Sequence, residues 1–195
     1  SYLLNICTAG FPFAIATLIA KYSTRGDYQT SLLIKKLSAS LMTCFGFGMM
    51  IIVILFSSPL AALVMPDEGD SVKTMQMVLI LISFALFFVP LLSSIRGFYQ
   101  GLKHMEIYAL SQVLEQVARV AFLLSASAIA VYALHTDQVW ALYFGVISTS
   151  ISAILAIMHL KLYDKKQMRE LKRLAKTQEV AGNNDRREIL KELVF

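Results

Sequence analysis

Residues 93–120 read SSIRGFYQGLKHMEIYALSQVLEQVARV and gather most of the polarity set between apolar stretches of this chain: Arg96, Gln100, Gln112, Glu115, Gln116 and Arg119. An apolar segment, 74–95, runs upstream, and another, 120–134, runs downstream. Polar and ionisable groups near a bilayer core are expensive, so their first reading is a functional one. Glu115 and Arg119 are four residues apart, so on a helix they face each other in the favourable acid-first order. Ser111, Gln112 and Gln116 share that side, which makes a stripe rather than scattered polarity.

Two chemistries fit the stripe. In one, Glu115 neutralises Arg119, whose guanidinium snorkels to the headgroups. In the other, the stripe lines a water-filled cavity between helices, where Arg119 meets a phosphate. Gln112 and Gln116 favour the cavity, because they need hydrogen-bond partners that a lipid tail cannot supply. Counting about 20 residues back from Leu134 puts the membrane boundary near Glu115, and Arg119 then lies roughly 6 Å inside. Arg96, beside Gly97 and near Gly101, has two readings. It is an anchor at a glycine-loosened turn, or an arginine at the cavity mouth that grips a diphosphate bidentately. Asn5 reads as an interhelical hydrogen bond before it reads as a site, and Gly46 and Gly48 read as close-packing positions.

The elements that must hold these residues follow from composition. Hydrophobic residues make up 57% and charged residues 16%, with a mean hydropathy of +0.63, outside the range of soluble domains. An all-α integral membrane protein is expected, with spans at about 2–20, 37–58, 74–95, 107–134 and 139–160, each near the 20 apolar residues a crossing needs. Gly10 and Pro12 interrupt the first span and Pro90 kinks the third. Residues 21–36 read as a polar connection, Ser57 to Pro59 as the end of the second span, and 60–65 as an interfacial turn. After Leu160 the composition changes: residues 161–195 hold ten Lys or Arg and six Asp or Glu. Residues 161–176 read as a basic helix, lying on the membrane or solvated, and 186–195 as the start of a further helix. The opening at Ser1 inside an apolar run, without a charged n-region, argues against a signal peptide and points to a natural start upstream.

The first, third and last polar segments carry four, two and ten basic residues, and the other two share Lys73 alone. The basic segments are therefore expected to be cytoplasmic. The net charge of +5 is accounted for by topology and anionic headgroups, and no nucleic-acid motif accompanies it.

Several chemistries lack their residues. Cys7 and Cys44 fall in apolar segments and form no CxxC or Cys/His cluster, so they read as buried apolar groups. His104, His135 and His159 sit near span ends without metal-ligand spacing. No DxD occurs, and the loops between spans hold no HxxxxD pair, since neither His104 nor His135 has an Asp five residues on; the one such pair, His159 and Asp164, begins inside a span. A glycosyl- or acyltransferase is thus unsupported, and a scaffold would not need the stripe. The expectation is a transporter, with no metal and no cofactor.

IRGFYQG followed by SQVLEQVARV, with GFPFAIATLIAKYSTRGDYQ upstream, resembles the polysaccharide-export and stage-V-sporulation-B-like branch of the MOP flippase superfamily. That branch includes the MurJ-type lipid II flippases of Gram-positive bacteria. The resemblance runs from about Gly10 to Val120. It implies that the chain is most of the first lobe, helices two to six, of a two-lobe transporter that rocks between access states. The implied substrate is an undecaprenyl-diphosphate-linked glycolipid, lipid II or a related polysaccharide unit, carried from the inner to the outer leaflet. The implied partners are membrane lipids and a second lobe of the same polypeptide. Coupling to a sodium or proton gradient, or to the membrane potential, stays open. The candidate headgroup or cavity-lining residues are Arg119, Glu115, Gln112, Gln116, Arg96, Gln100 and Asn5. Gram-negative members place arginines in the first two helices of this lobe, whereas residues 2–20 hold none. Within transport the competing reading is a multidrug or cation antiporter of the MATE branch, which would rather need an acidic cavity.

Overall fold

The computed structural model describes residues 2–64, 69–129, 138–178, 188, 189 and 192. Its elements are α1 (Tyr2–Thr24), α2 (Tyr28–Leu55), α3 (Ser57–Val64), α4 (Gly69–Gly101), α5 (Met105–Ala128) and α6 (Gln138–Thr177), and no strand occurs among the described residues. Four stretches are long and apolar enough to cross a bilayer: Tyr28–Leu55, Ser71–Gly101, Met105–Ala128 and Leu142–Asp164. This is an all-α membrane protein. Its helices satisfy their own backbone groups, which is what hydrocarbon demands of a spanning segment.

The polar connection expected over 21–36 shrinks to a short turn. α1 runs to Thr24 and α2 already begins at Tyr28. Gly26 adopts φ +77°, a conformation cheap only for glycine, and its N–H donates to Ser23 O at 3.1 Å. Asp27 then caps α2: Thr30 N–H donates to Asp27 Oδ1 at 3.0 Å, and the Thr30 hydroxyl donates to Oδ2. Such a cap satisfies orphan N–H groups and lets a charged stretch start a helix. Lys35 and Lys36, read as loop residues, therefore sit on α2. The interfacial turn expected over 60–65 is α3, with Pro59 in its first turn, where the missing N–H costs nothing. The expected end of the fourth span falls among residues 130–137, outside the described residues.

Arg96 does not end a span, because α4 continues through it to Gly101. Nor does α6 stop at Leu160; it runs as one element to Thr177. Residues 161–177 hold many Lys, Leu and Arg, all good helix formers, so a change of solvent need not break the helix.

Two compact units divide the chain. The first comprises Ser1–Met42, Leu91–Ser111 and Ile157–Phe195. Its core holds Ile15, Ile19, Ile34, Phe98, Tyr99 and Leu160, all fully buried. Gly97 and Gly101 are helical packing positions rather than a loosened turn. A Cβ on Gly97 would lie 2.8 Å from Pro12 O, and one on Gly101 would lie 2.7 Å from Ala16 O and 2.7 Å from Ile19 Cβ. α4 and α1 approach closely because neither glycine carries a side chain, the usual device where lipid gives helices no hydrophobic reason to associate.

Ala175, Gln178 and Glu192 are held in the same unit. Gln29 N–H donates to Gln178 Oε1 at 3.0 Å and Gln29 Nε2 to Ala175 O at 3.0 Å. Lys21 Nζ meets Glu192 Oε1 at 2.8 Å, and Tyr22 OH donates to Glu192 Oε2 at 3.1 Å. The hydrogen bond from Lys21 holds the Glu192 carboxyl below its usual range, and Glu192 in turn raises Lys21.

The second unit comprises Thr43–Pro90 and Gln112–Ala156. Small residues dominate its buried positions: Ala61, Ser83, Ala85, Ser148, Ser152, Ala153 and Ala156. Gly46 packs as expected, its Cβ position 3.0 Å from Leu86 O and Phe87 O, but Gly48 faces open space, which corrects the close-packing reading there. Large apolar side chains such as Phe45, Ile52, Val117 and Leu124 are exposed, as a lipid-facing surface requires. Cys44 is exposed as well, which corrects its reading as a buried apolar group.

The glycine contacts make opposite predictions on one scale. Gly101→Ala forces backbone and side chain apart and should cost about 1–3 kcal/mol. Gly48→Ala should be neutral or stabilising by up to about 1 kcal/mol. Thermal melting in detergent reads both, and a Gly101→Ala protein melting like the parent would contradict the close approach of α1 and α4.

Candidate functional site

The second unit contains the pair expected on α5. Arg119 donates through Nη2 to Glu115 Oε1, forming an ion pair whose acid side chain is 8% exposed and whose cation is 30% exposed. Gln116 Oε1 accepts from Arg119 Nη1 at 3.4 Å. The guanidinium Nε is buried without a hydrogen-bond partner among the described residues. The cation is thus fixed on one side by a carboxylate and an amide while part of it stays reachable. A guanidinium held this way can offer donors to a planar or tetrahedral oxyanion.

The stripe divides into two. Glu115 is buried and Arg119 half-buried, whereas Gln112 and Gln116, one turn apart on the adjoining strip of α5, are exposed. Next around the helix come Val113 and Val117, at 59% and 61% exposure. α5 therefore passes from a buried charged edge through an amide strip to an apolar face. The amides occupy the position where water or a polar ligand has to satisfy them.

Arg96 lies in the first unit. Its Nε donates to Ser111 Oγ at 3.0 Å and its Nη2 to Ser111 O at 2.9 Å. Ser111, fully buried, donates its own hydroxyl to Tyr108 O at 2.8 Å. The expectation of an arginine at a loose span end gives way to a clamp between α4 and α5. Gln100 stands one turn on from Arg96, half-buried. The side chain of Asn5 lies outside the described residues. Glu115, Gln116 and Arg119 touch, and Arg96 holds Ser111.

Sequence reasoning missed a second, part-buried ion pair. Lys35 Nζ donates to Asp164 Oδ1, and Tyr99 OH donates to the same oxygen at 2.9 Å. Lys35 also stands 4.5 Å from the Phe98 ring centroid, a cation–π distance. These residues join α2, α4 and α6 in the first unit. Hydropathy puts Lys35 in a loop and Asp164 in a solvated tail, so neither suggests a partner. The one signal is Asp164 itself, an acid among lysines at the end of an apolar run. Among the described residues no His, Cys, Asp and Glu cluster could hold a metal ion.

A chain with several helices long and apolar enough to span, one of them carrying a paired arginine, belongs to the class of polytopic membrane proteins. The comparisons narrow that class. The family model described as polysaccharide biosynthesis protein matches residues 1–183. The lipid II flippase MurJ of Bacillus subtilis (strain 168) is 34% identical over 169 residues, 84% of this chain and 31% of the relative. The stage V sporulation protein B of the same organism is 33% identical over 113 residues, 57% of this chain and 20% of the relative. An uncharacterized membrane protein of that organism, YabM, is 33% identical over 122 residues, 63% of this chain and 21% of its own length. No solved structure matches. The chain belongs to the polysaccharide biosynthesis protein family, in the polysaccharide-export branch of the MOP flippase superfamily. It is a multi-pass cell-membrane protein and spans less than a third of the length of these relatives.

The ion pair predicts its own thermodynamic signature. Glu115→Gln should cost about 1–2 kcal/mol, less than a fully buried pair because Arg119 keeps 30% of its side chain exposed. Arg119→Gln removes this cation from a buried acid and should cost at least as much. The double variant should recover part of the loss through a coupling of about 0.5–3 kcal/mol. Strictly additive losses in melting experiments would show that the two side chains do not interact.

Proposed function

We propose that the protein carrying this chain is a flippase for a lipid-linked saccharide, most simply an undecaprenyl-diphosphate-linked cell-wall precursor such as lipid II or a related polysaccharide unit. The substrate moves from the inner to the outer leaflet by alternating access, and this chain supplies most of one lobe against a second lobe of the same polypeptide. The observation that carries the reading is Arg119, a partly accessible cation beside exposed glutamines on a helix long and apolar enough to span. Family membership and the likeness to the relative named lipid II flippase support it.

The physical problem is to move a charged headgroup through hydrocarbon while its polyprenyl tail stays in lipid. A cation whose field is partly cancelled by Glu115 attracts a diphosphate without holding it irreversibly. The amides of Gln112 and Gln116 offer sugar hydroxyls the hydrogen bonds they lose on leaving water. An apolar cleft would leave both groups unsatisfied, at several kcal/mol each. No catalytic constellation is invoked, because translocation makes and breaks no covalent bond. A drug or cation antiporter would rather present net acid, and here the buried acid is already spoken for by Arg119.

The test is transport of a fluorescent undecaprenyl-diphosphate saccharide by the whole protein in reconstituted vesicles, with melting measured in parallel. Arg119→Gln should fold yet lose at least about tenfold in rate, the scale of one charge-assisted contact. Adding Glu115→Gln should recover part of the stability without restoring transport. Normal flipping by a stable Arg119→Gln protein would remove this residue from the substrate path.

A further inference from the structure

α6 keeps its helical course for about four and a half turns past Leu160, where its apolar run ends. Along one side of that extension a groove of ≈ 520 Å³ is lined by Lys161, Asp164, Met168, Arg169 and Lys172. Their spacing of three, four and four from Lys161 through Asp164 and Met168 to Lys172 places them on one helix face, with Arg169 beside it. The volume lies within the range of pockets that hold small ligands. Leu171 and Ala175 are buried, so the extension is fastened to the first unit and the groove has a fixed wall.

The charge of this groove is more one-sided than its composition suggests. Asp164 is the single acid among its described lining residues, and its Oδ1 already accepts from Lys35 and from Tyr99. Its negative charge is met from inside the protein. Lys161, Arg169 and Lys172, all exposed, are left to act outward on whatever enters.

Position decides what that is. The apolar run of α6 ends at Leu160. Lys161 and Asp164 follow one and four residues later, about 2 and 6 Å along the axis, and Arg169 and Lys172 nine and twelve residues later, about 14 and 18 Å. The headgroup layer occupies roughly 5–7 Å on each side of the hydrocarbon, so the groove opens at phosphate depth beside Lys161 and Asp164. The long side chains of Arg169 and Lys172, which a helix tilts back toward its N-terminus, approach that layer from the water side. Leu162 and Tyr163, at 76% and 42% exposure, flank its inner end, where acyl chains and glycerol lie. We infer that this groove is a binding site for the phosphate of an anionic phospholipid headgroup, which seats the α6 extension at the membrane surface. The inference stands apart from the transport reading, since it concerns neither Arg119 nor the translocated substrate.

Native mass spectrometry of the purified whole protein, titrated with phosphatidylglycerol or phosphatidylcholine, tests it. A preferred site for phosphatidylglycerol is expected. Arg169→Gln with Lys172→Gln should weaken that site about tenfold or more, as expected for two cations near an anionic surface. Arg173→Gln with Lys176→Gln removes the same charge from exposed positions that do not line the groove, and should change it less than about twofold. Should the groove pair lower the melting temperature, Lys161→Gln at the inner rim replaces it and should weaken binding in the same direction. Equal losses from both pairs would overturn the site in favour of a diffuse basic surface. Equal binding of the two lipids would overturn it outright. Displacement of phosphatidylglycerol by millimolar inorganic phosphate would reassign the groove to a soluble phosphate ligand.

Discussion

An ionised side chain in hydrocarbon must bring its own counterpart, because no water is there to supply one. Much of this structure follows from that constraint. Arg119 brings Glu115 from one turn away on its own helix. Lys35, on α2, takes Asp164 from α6 and shares it with Tyr99 of α4. Arg96 takes the hydroxyl and the carbonyl of one serine. Each solution places a polar contact where apolar packing alone gives little specificity, and two of the three join separate helices. The glycines of α4 complement them, since close backbone approach is the other source of cohesion between helices in lipid.

The kinds of pairing differ in what they leave over. Lys35 is enclosed by aromatic rings and a carboxylate, an arrangement suited to holding α2, α4 and α6 together. Arg119 is bound on one side only, with 30% of its side chain still reachable. A structural pair gains nothing from such access, whereas a carrier needs a cation that can exchange partners as its substrate arrives and leaves. That asymmetry, more than the presence of an arginine, is why we propose α5 rather than α2 as the helix that meets the substrate.

Composition and local spacing make part of this legible. Helical class follows from long apolar runs, and the Glu115–Arg119 contact follows from a four-residue interval, which a helix translates directly into proximity. The resemblance carried by IRGFYQG and SQVLEQVARV points to the family to which the chain belongs. Helix bounds are less legible, because charge reads as loop. Hydropathy alone starts the second span at Leu37, the first residue past Lys35 and Lys36, whereas Asp27 caps α2 ten residues earlier. Gly97 and Gly101 look like loosening elements and are contact points, since a sequence cannot show the helix that lies against them. Lys35 and Asp164 are separated by 129 residues, and no local periodicity connects them.

The claim on which the functional account rests is that the amide strip of α5 faces water while the neighbouring face meets lipid. Single cysteines at Gln112, Gln116, Val113 and Val117, in a background lacking Cys7 and Cys44, can be labelled in membrane vesicles with a membrane-impermeant thiol reagent. The account predicts rapid labelling at the two glutamine positions and protection at the two valine positions. Glutamine positions as unreactive as the valines would mean that the strip is buried in protein or lipid, and that Arg119 is a structural cation.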